Sequence, residues 1–168
     1  MKSEELRAIQ APLKDQYRQH PQSAFITLRA QSRIGEGISC KIETGKALVE
    51  AGLHPATGGD GMAACSGDML LEALAACAGV TLSAVATALG IDIGEGMIRA
   101  EGDLDFRGTL GVSKEAPVGF QNIRLQFDLR TGASEEQLAN LLRLTERYCV
   151  VYQTLRHSPQ ITITHTER

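Results

Sequence analysis

Two cysteines stand in otherwise apolar, helix-forming stretches: Cys77 in LLEALAACAGVTLSAVATAL and Cys149 in LLRLTERYCVVYQTL. A thiol in an apolar interior ordinarily behaves as a small, inert hydrophobe. Two thiols brought face to face on core helices have a second option: they can pass through a sulfenic acid to a disulfide and back. Cys40 and Cys65 complete the set, with no C-x-x-C anywhere and the histidines scattered, so neither a structural metal site nor a cofactor is expected. A third option, acyl or metal handling, would use His54, Asp60 and Cys65 of the Gly-rich run HPATGGDGMAACSG. Their H-x5-D-x4-C spacing fits no common ligand pattern, and an Asp among glycines ordinarily makes a turn.

The 168-residue chain carries a formal net charge of −3, its 17 basic residues form no run, and only 4% of residues are aromatic. A nucleic-acid surface wants basic clustering and stacking platforms, so that class of partner is not expected. MKSEELRAIQ mixes charges and lacks the apolar run of a signal peptide, which points to the cytoplasm. In a reducing compartment the cysteines are not a stapling framework.

The elements that must position the two thiols are legible from periodicity. Residues 3–19 suggest a polar helix, so residues 1–22 form an N-terminal helical extension and residues 23–168 the main domain. Strand alternation follows in Ile26, Leu28 and Ala30, in Ile38, Cys40 and Ile42, and in the short ALVEA run. After the Gly-rich connection, residues 67–89 predict a helix, with Ser66 as N-cap, Asp68 in the first turn and Gly90 at its end. Ile98, Ala100, Leu104 and Phe106 alternate with polar residues, as do Ile123, Leu125, Phe127 and Leu129; these predict strands with one wet face. SEEQ at 134–137 is a capping box for a second helix, and ITITHT reads as a closing strand. The fold class is α+β, with antiparallel sheets packed on two central helices.

On the second helix Leu138, Leu141, Leu142, Tyr148, Cys149 and Tyr152 form one stripe, which turns Cys149 toward the core. Cys65 precedes Cys77 by 12 residues, about 18 Å along a helix, whereas a disulfide needs Cα atoms within roughly 7 Å. Spacing leaves Cys77 and Cys149 as either a redox pair or ordinary core thiols. The 67–89 helix is long enough to span a bilayer, but its seven alanines, its Glu72 and the absence of flanking basic anchors argue against a membrane span. Its apolar circumference is more than one small sheet covers, so a second subunit is expected to cover part of it; coverage within the chain is the alternative.

In this order, GDMLLEALAACAGVTL, EGDLDFRG and ERYCVVYQTL resemble the OsmC/Ohr family of osmotically inducible and organic-hydroperoxide-resistance proteins, over roughly residues 24–168. The resemblance implies an OsmC-like α+β fold, an intertwined homodimer and a cysteine-based peroxidase with its site at the subunit interface. Cys77 would attack the hydroperoxide and Cys149 would resolve the sulfenic acid as a disulfide. An external dithiol of lipoyl or thioredoxin type would then reduce that disulfide. The family's thiolate-holding arginine maps best onto Arg33 in QSRIGEG, with Arg29 as the alternative. The family's orienting Glu, ten residues before the reactive cysteine, is Gly67 here. Asp68 is the neighbouring carboxylate, but it lies about 180° around the helix from Cys77; Glu72 is the other candidate. The alternative function is a non-catalytic OsmC-like protein that binds an apolar small molecule at the dimer interface.

Overall fold

The computed structural model describes residues 2–5, 8, 10, 11, 19, 31–34, 39–43, 48–111 and 113–167, of which 31–34, 39–43 and 48 are described by their backbone only. Residues 3–5, 8, 10, 11 and 19 are helical, in keeping with an N-terminal helix. The strand expected over Ile26, Leu28 and Ala30, and the boundary between the N-terminal extension and the domain, lie outside the described residues.

The first sheet holds β1 (Gln31–Ile34), β2 (Ser39–Glu43), β3 (Leu48–Gly52) and β4 (Ala64–Cys65) in that order. The first three pair antiparallel, and β4 adds to β3 in parallel. The second sheet pairs β5 (Ile93–Gly102) antiparallel with β6 (Ile123–Thr131), setting Ile98 opposite Phe127 and Ala100 opposite Leu125. One face of this ribbon is wet, as the alternation predicts. Arg124 pairs there with Asp103 and Glu101, and Arg99 lies 3.6 Å from Asp128. Such exposed pairs stabilise little, and their main effect is to keep that face in water.

The helix α1 (Ser66–Leu89) runs directly out of β4, so its N-cap is Cys65, with extended backbone at φ −83° and ψ 130°, rather than Ser66. Asp68 sits in the first turn, where the helix dipole favours a carboxylate, and Gly90 closes the helix at φ 68°, a conformation that costs a side-chain-bearing residue. Leu74, Ala78, Leu82 and Ala86 recur every four residues and are buried against β5 and the next long helix, α3 (Glu135–Tyr148). Leu82, Ala86 and Leu141 form the centre of the core, surrounded by Val85, Ile91, Phe127, Leu129 and Leu138. By length and mean hydropathy α1 could cross a bilayer, but here its buried stripe is packed inside a folded domain. Its other side is not covered: Ala73, Ala76 and Ala84 are exposed, and Val80 is 73% exposed.

Three expectations are corrected. The strand predicted through Leu104 and Phe106 stops at Gly102, because the Asp105 carboxylate accepts the Arg107 N–H at 3.0 Å and opens a short helical turn, α2 (Phe106–Thr109). The second helix is not continuous: α3 ends at Tyr148 and α4 (Val150–Arg156) begins at Val150, with Cys149 between them at φ −72°, ψ 107°. ITITHT forms no strand; Ile161 and Ile163 are exposed. Alternation determines which side chains would share a face, but a strand also needs a sheet edge to pair with, and this segment pairs with none among the described residues. The predicted capping box is present. Ser134 Oγ accepts the Gln137 N–H at 3.2 Å, and Gln137 Oε1 accepts the Ser134 N–H at 2.9 Å.

Candidate functional site

The packing of α1 against α3 and α4 makes Cys77 and Cys149 neighbours. Cys77 lies midway along α1 and is half-buried, whereas Cys149 is 1% exposed. The buried stripe of α3 is Leu141, Thr145 and Cys149, spaced by four; Leu138 and Leu142 flank it, and Tyr148, expected on the stripe, is 58% exposed. Cys149 therefore faces the core through its spacing from Thr145, whose carbonyl accepts the Cys149 N–H at 2.9 Å.

The helix break carries chemical consequences. The N–H groups of Val150 and Val151 open α4, where no carbonyl of that helix can reach them, and they lie near the Cys77 thiol. The Thr81 hydroxyl, one turn along α1, and the Cys149 thiol lie near it as well. Burial pushes the Cys77 thiol up. The donors from Val151, Cys149, Val150 and Thr81 more than offset it, so its pKa falls below the ordinary value. For Cys149, burial dominates and the neighbouring Cys77 thiolate adds to it, so its pKa is raised although the Tyr152 and Val151 N–H groups oppose the shift. The pair is thus polarised, with the more acidic thiol on α1 and the protonated one at the joint.

The remaining candidate residues divide clearly. Asp68 and Glu72 are exposed, and neither is among the groups that touch Cys77. A Cβ at Gly67 would lie 3.5 Å from Phe120 Cζ, 3.6 Å from Cys65 Sγ and 3.8 Å from Leu104 Cδ1. At the position where the resemblance implies a Glu, a longer side chain would therefore meet a phenyl ring, a leucine and the Cys65 sulfur. Arg33 lies on β1 opposite Lys41, and only its backbone is described; Arg29 lies outside the described residues. Cys65 stands at the start of an unbroken helix and is out of reach of Cys77. Cys40 and Cys65 flank β3, next to Ala51 and Gly52 respectively. Two strand spacings of about 4.8 Å separate them, which is beyond disulfide reach.

His54 and Asp60 both make local structural contacts. His54 Nδ1 accepts the Ala56 N–H at 3.0 Å and its ring stacks on Phe106 at 5.0 Å, while Asp60 accepts the Met62 N–H at 2.9 Å. Among the described residues no group of three or more His, Cys, Asp or Glu side chains is placed to hold a metal ion.

A cleft of about 590 Å³ opens beside the thiol pair. Leu74, one turn before Cys77, and Tyr152, one turn after Cys149, line it, together with Phe120, Leu125 and Phe127. Gln121, Glu146 and Arg156 line it too, so the cleft is mixed in character, and its size is that of a small-molecule site. Sequence reasoning missed Thr81 and the Val150 and Val151 amides. Thr81 was readable as a hydroxyl one turn from Cys77. The helix break had only the weak signal of two adjacent β-branched residues after Cys149.

An α+β domain that sets a thiol on its long apolar helix against a second thiol at a break in the next helix defines a two-cysteine class of protein. The family model for OsmC-like protein matches residues 58–164, and the chain belongs to that family. The solved structures that it resembles include an OsmC-like protein from Mycoplasma pneumoniae, at TM-score 0.67 and 17% identity over 79% of this chain and 89% of that one. An organic hydroperoxide resistance protein from Elizabethkingia anophelis matches at TM-score 0.64 and 17% identity, covering 80% and 91%. An organic hydroperoxide resistance protein from Legionella pneumophila matches at TM-score 0.62 and 19% identity, covering 80% and 92%. A search of curated proteins found no match. At these identities the structures establish the OsmC-like fold.

Proposed function

We propose that the protein is a thiol-dependent peroxidase that reduces organic hydroperoxides, or hydrogen peroxide, through Cys77 and Cys149. The observation that carries this reading is the juxtaposition of Cys77 on α1 with the buried Cys149 at the α3–α4 break; the lowered Cys77 and raised Cys149 pKa directions agree with it. The Cys77 thiolate attacks the terminal oxygen of R–O–OH, an S–O bond forms as the O–O bond breaks, and the expelled alkoxide takes a proton from water. The Cys149 thiol then condenses with the Cys77 sulfenic acid, releasing water and leaving a disulfide. An external dithiol of lipoyl or thioredoxin type returns both sulfurs to thiols and is itself oxidised to a disulfide. Arg33 of β1 is assigned as the cation beside the reacting thiolate, in preference to Arg29, on the family resemblance.

The functional unit is a homodimer in the cytoplasm. Support for the second copy comes from the uncovered stripe of Ala73, Ala76, Val80 and Ala84 beside Cys77 on α1. A non-catalytic reading, in which the cleft by Leu74 and Tyr152 holds an apolar small molecule and the thiols only line it, is favoured by one observation: the phenyl ring, leucine and sulfur around Gly67 where the resemblance implies a Glu.

One equivalent of cumene hydroperoxide added to the reduced protein separates the two readings. The peroxidase forms an intramolecular Cys77–Cys149 disulfide, leaves Cys40 and Cys65 alkylatable, and in a Cys149→Ser variant accumulates sulfenic or over-oxidised Cys77. Unchanged thiols after treatment, or a disulfide through Cys65, would overturn it.

A further inference from the structure

Nothing in the covalent chain imposes the break between α3 and α4. The joint, Arg147–Tyr148–Cys149–Val150–Val151, holds no proline or glycine, the residues at which sharp helix breaks ordinarily occur. Cys149 has φ −72°, within the helical range, and only its ψ of 107° departs from the helical value of about −42°. One dihedral rotation would therefore run α3 straight on into α4. In that continuous helix the Glu146 carbonyl would accept the Val150 N–H, four residues on. Here the same carbonyl accepts the Gln153 side-chain amide, Nε2, at 2.7 Å. Gln153 is the fourth residue of α4 and half-buried, and its own N–H donates to the Cys149 carbonyl at 2.9 Å. A longer strap runs alongside: the Tyr152 hydroxyl donates to the Glu146 carboxylate at 3.5 Å and accepts from Arg156 at 3.0 Å. Glu146, three residues before Cys149, is thus held by the residues three and four after it.

We propose that Gln153 is a positioning residue for the Cys149 thiol: its side-chain amide takes the place of the Val150 N–H on the Glu146 carbonyl and so holds the joint bent, with Cys149 turned to Cys77. This role deepens the peroxidase reading and rests on it, since it makes Cys149 the resolving thiol and names the group that keeps it in reach. With the Gln153 amide on that carbonyl, an orphan acceptor at the end of α3 is satisfied while α4 turns back to pack on α1. With the amide removed, the Val150 N–H becomes the nearest donor in sequence that can satisfy the carbonyl, and the straight helix that results carries α4 away from α1. The adjacent valines weaken that straight alternative, since β-branched residues are poorer helix formers, and the Gln153 bond adds to the bias.

The test is the equilibrium between the Cys77 and Cys149 thiols and their disulfide in graded mixtures of reduced and oxidised dithiothreitol, with no peroxide present. Oxidised dithiothreitol takes up two hydrogens as the protein disulfide forms, so the midpoint gives the effective concentration of one thiol at the other. Gln153→Met keeps the length and loses the donor, whereas Gln153→Lys keeps a donor that suits carbonyls at a helix C-terminus. Gln153→Met is expected to lower the effective concentration about fivefold, the scale set by one hydrogen bond of ordinary net strength. Gln153→Lys restores it, and Ser134→Ala, which weakens α3 from its far end, leaves it unchanged. Val150→Pro bars the straight helix covalently, so in that background Gln153→Met has no further effect. Gln153→Ala takes the place of Gln153→Met if the latter fails to fold. A wild-type midpoint in the donor-free variant, an equal loss in Gln153→Lys or Ser134→Ala, or an undiminished loss in the Val150→Pro background would overturn the role. So would a wild-type protein that forms no Cys77–Cys149 disulfide in these mixtures. A wild type inert to cumene hydroperoxide whose disulfide still depends on Gln153 removes the peroxidase reading and leaves the positioning role, whereas active turnover with a Gln153-independent equilibrium does the reverse.

Discussion

At the residue scale, Cys77 is acidified by donors that sequence numbering does not bring near it. Val150 and Val151 lie far along the chain, and their amides are free because the backbone turns extended at Cys149. This makes one substitution unusually clean. Proline is accommodated at the first position of a helix, and the residue before it must be extended, which Cys149 already is at ψ 107°. Val150 is also 69% exposed, so little packing is lost. Val150→Pro is expected to remove one thiolate donor, raise the Cys77 pKa and slow its alkylation at pH 7 about tenfold, with the melting temperature nearly unchanged. Folding lowers the Cys77 pKa, so the stability that this residue contributes is fully present above the ordinary thiol value of 9.0 and is lost as pH falls through the lower folded value. A pH series of denaturant midpoints for wild type against Cys77→Ala should show the difference shrinking toward acid. A constant difference would mean that the thiolate is not held by the fold.

At the element scale, the helices that carry the thiols are secured at different places. The α3 start depends on a reciprocal pair of side-chain bonds between Ser134 and Gln137, and its burial depends on Leu141, which contacts the α1 stripe. Ser134→Ala removes the cap and should cost about 1 kcal/mol in urea unfolding without altering the Cys77 profile, because the cap lies at the far end of α3 from the joint. A larger loss accompanied by a shifted thiol profile would show that the joint senses the whole helix. Much of this scale was readable: the capping box, the Gly90 stop, and the alternation of β5 and β6 follow from local chemistry. Leu104 and Phe106 were misassigned because their alternation matches a strand, and the Asp105 side chain that starts a turn there competes locally with the ladder.

At the scale of the whole molecule, α1 buries one stripe inside its own chain and leaves an opposite one, Ala73, Ala76, Val80 and Ala84, in contact with solvent. Small residues allow close approach of a second helix, and contiguous exposed apolar surface of this kind marks an interaction site. Light scattering of the wild type should give twice the chain mass at micromolar concentration, and Val80→Asp should give the single-chain mass, because a buried unpaired carboxylate is costly at such a contact. A single-chain mass for the wild type would refute the dimer. The sequence by itself determined the α+β class, the two helices and the membership of both cysteines in apolar stretches, because periodicity and capping are local properties of neighbouring residues. Only the tertiary structure decided that α3 breaks at Cys149, that the freed amides and Thr81 converge on Cys77, and that ITITHT stays unpaired. Each of these depends on which backbone group meets which partner across the fold, and side-chain spacing carries no information about that.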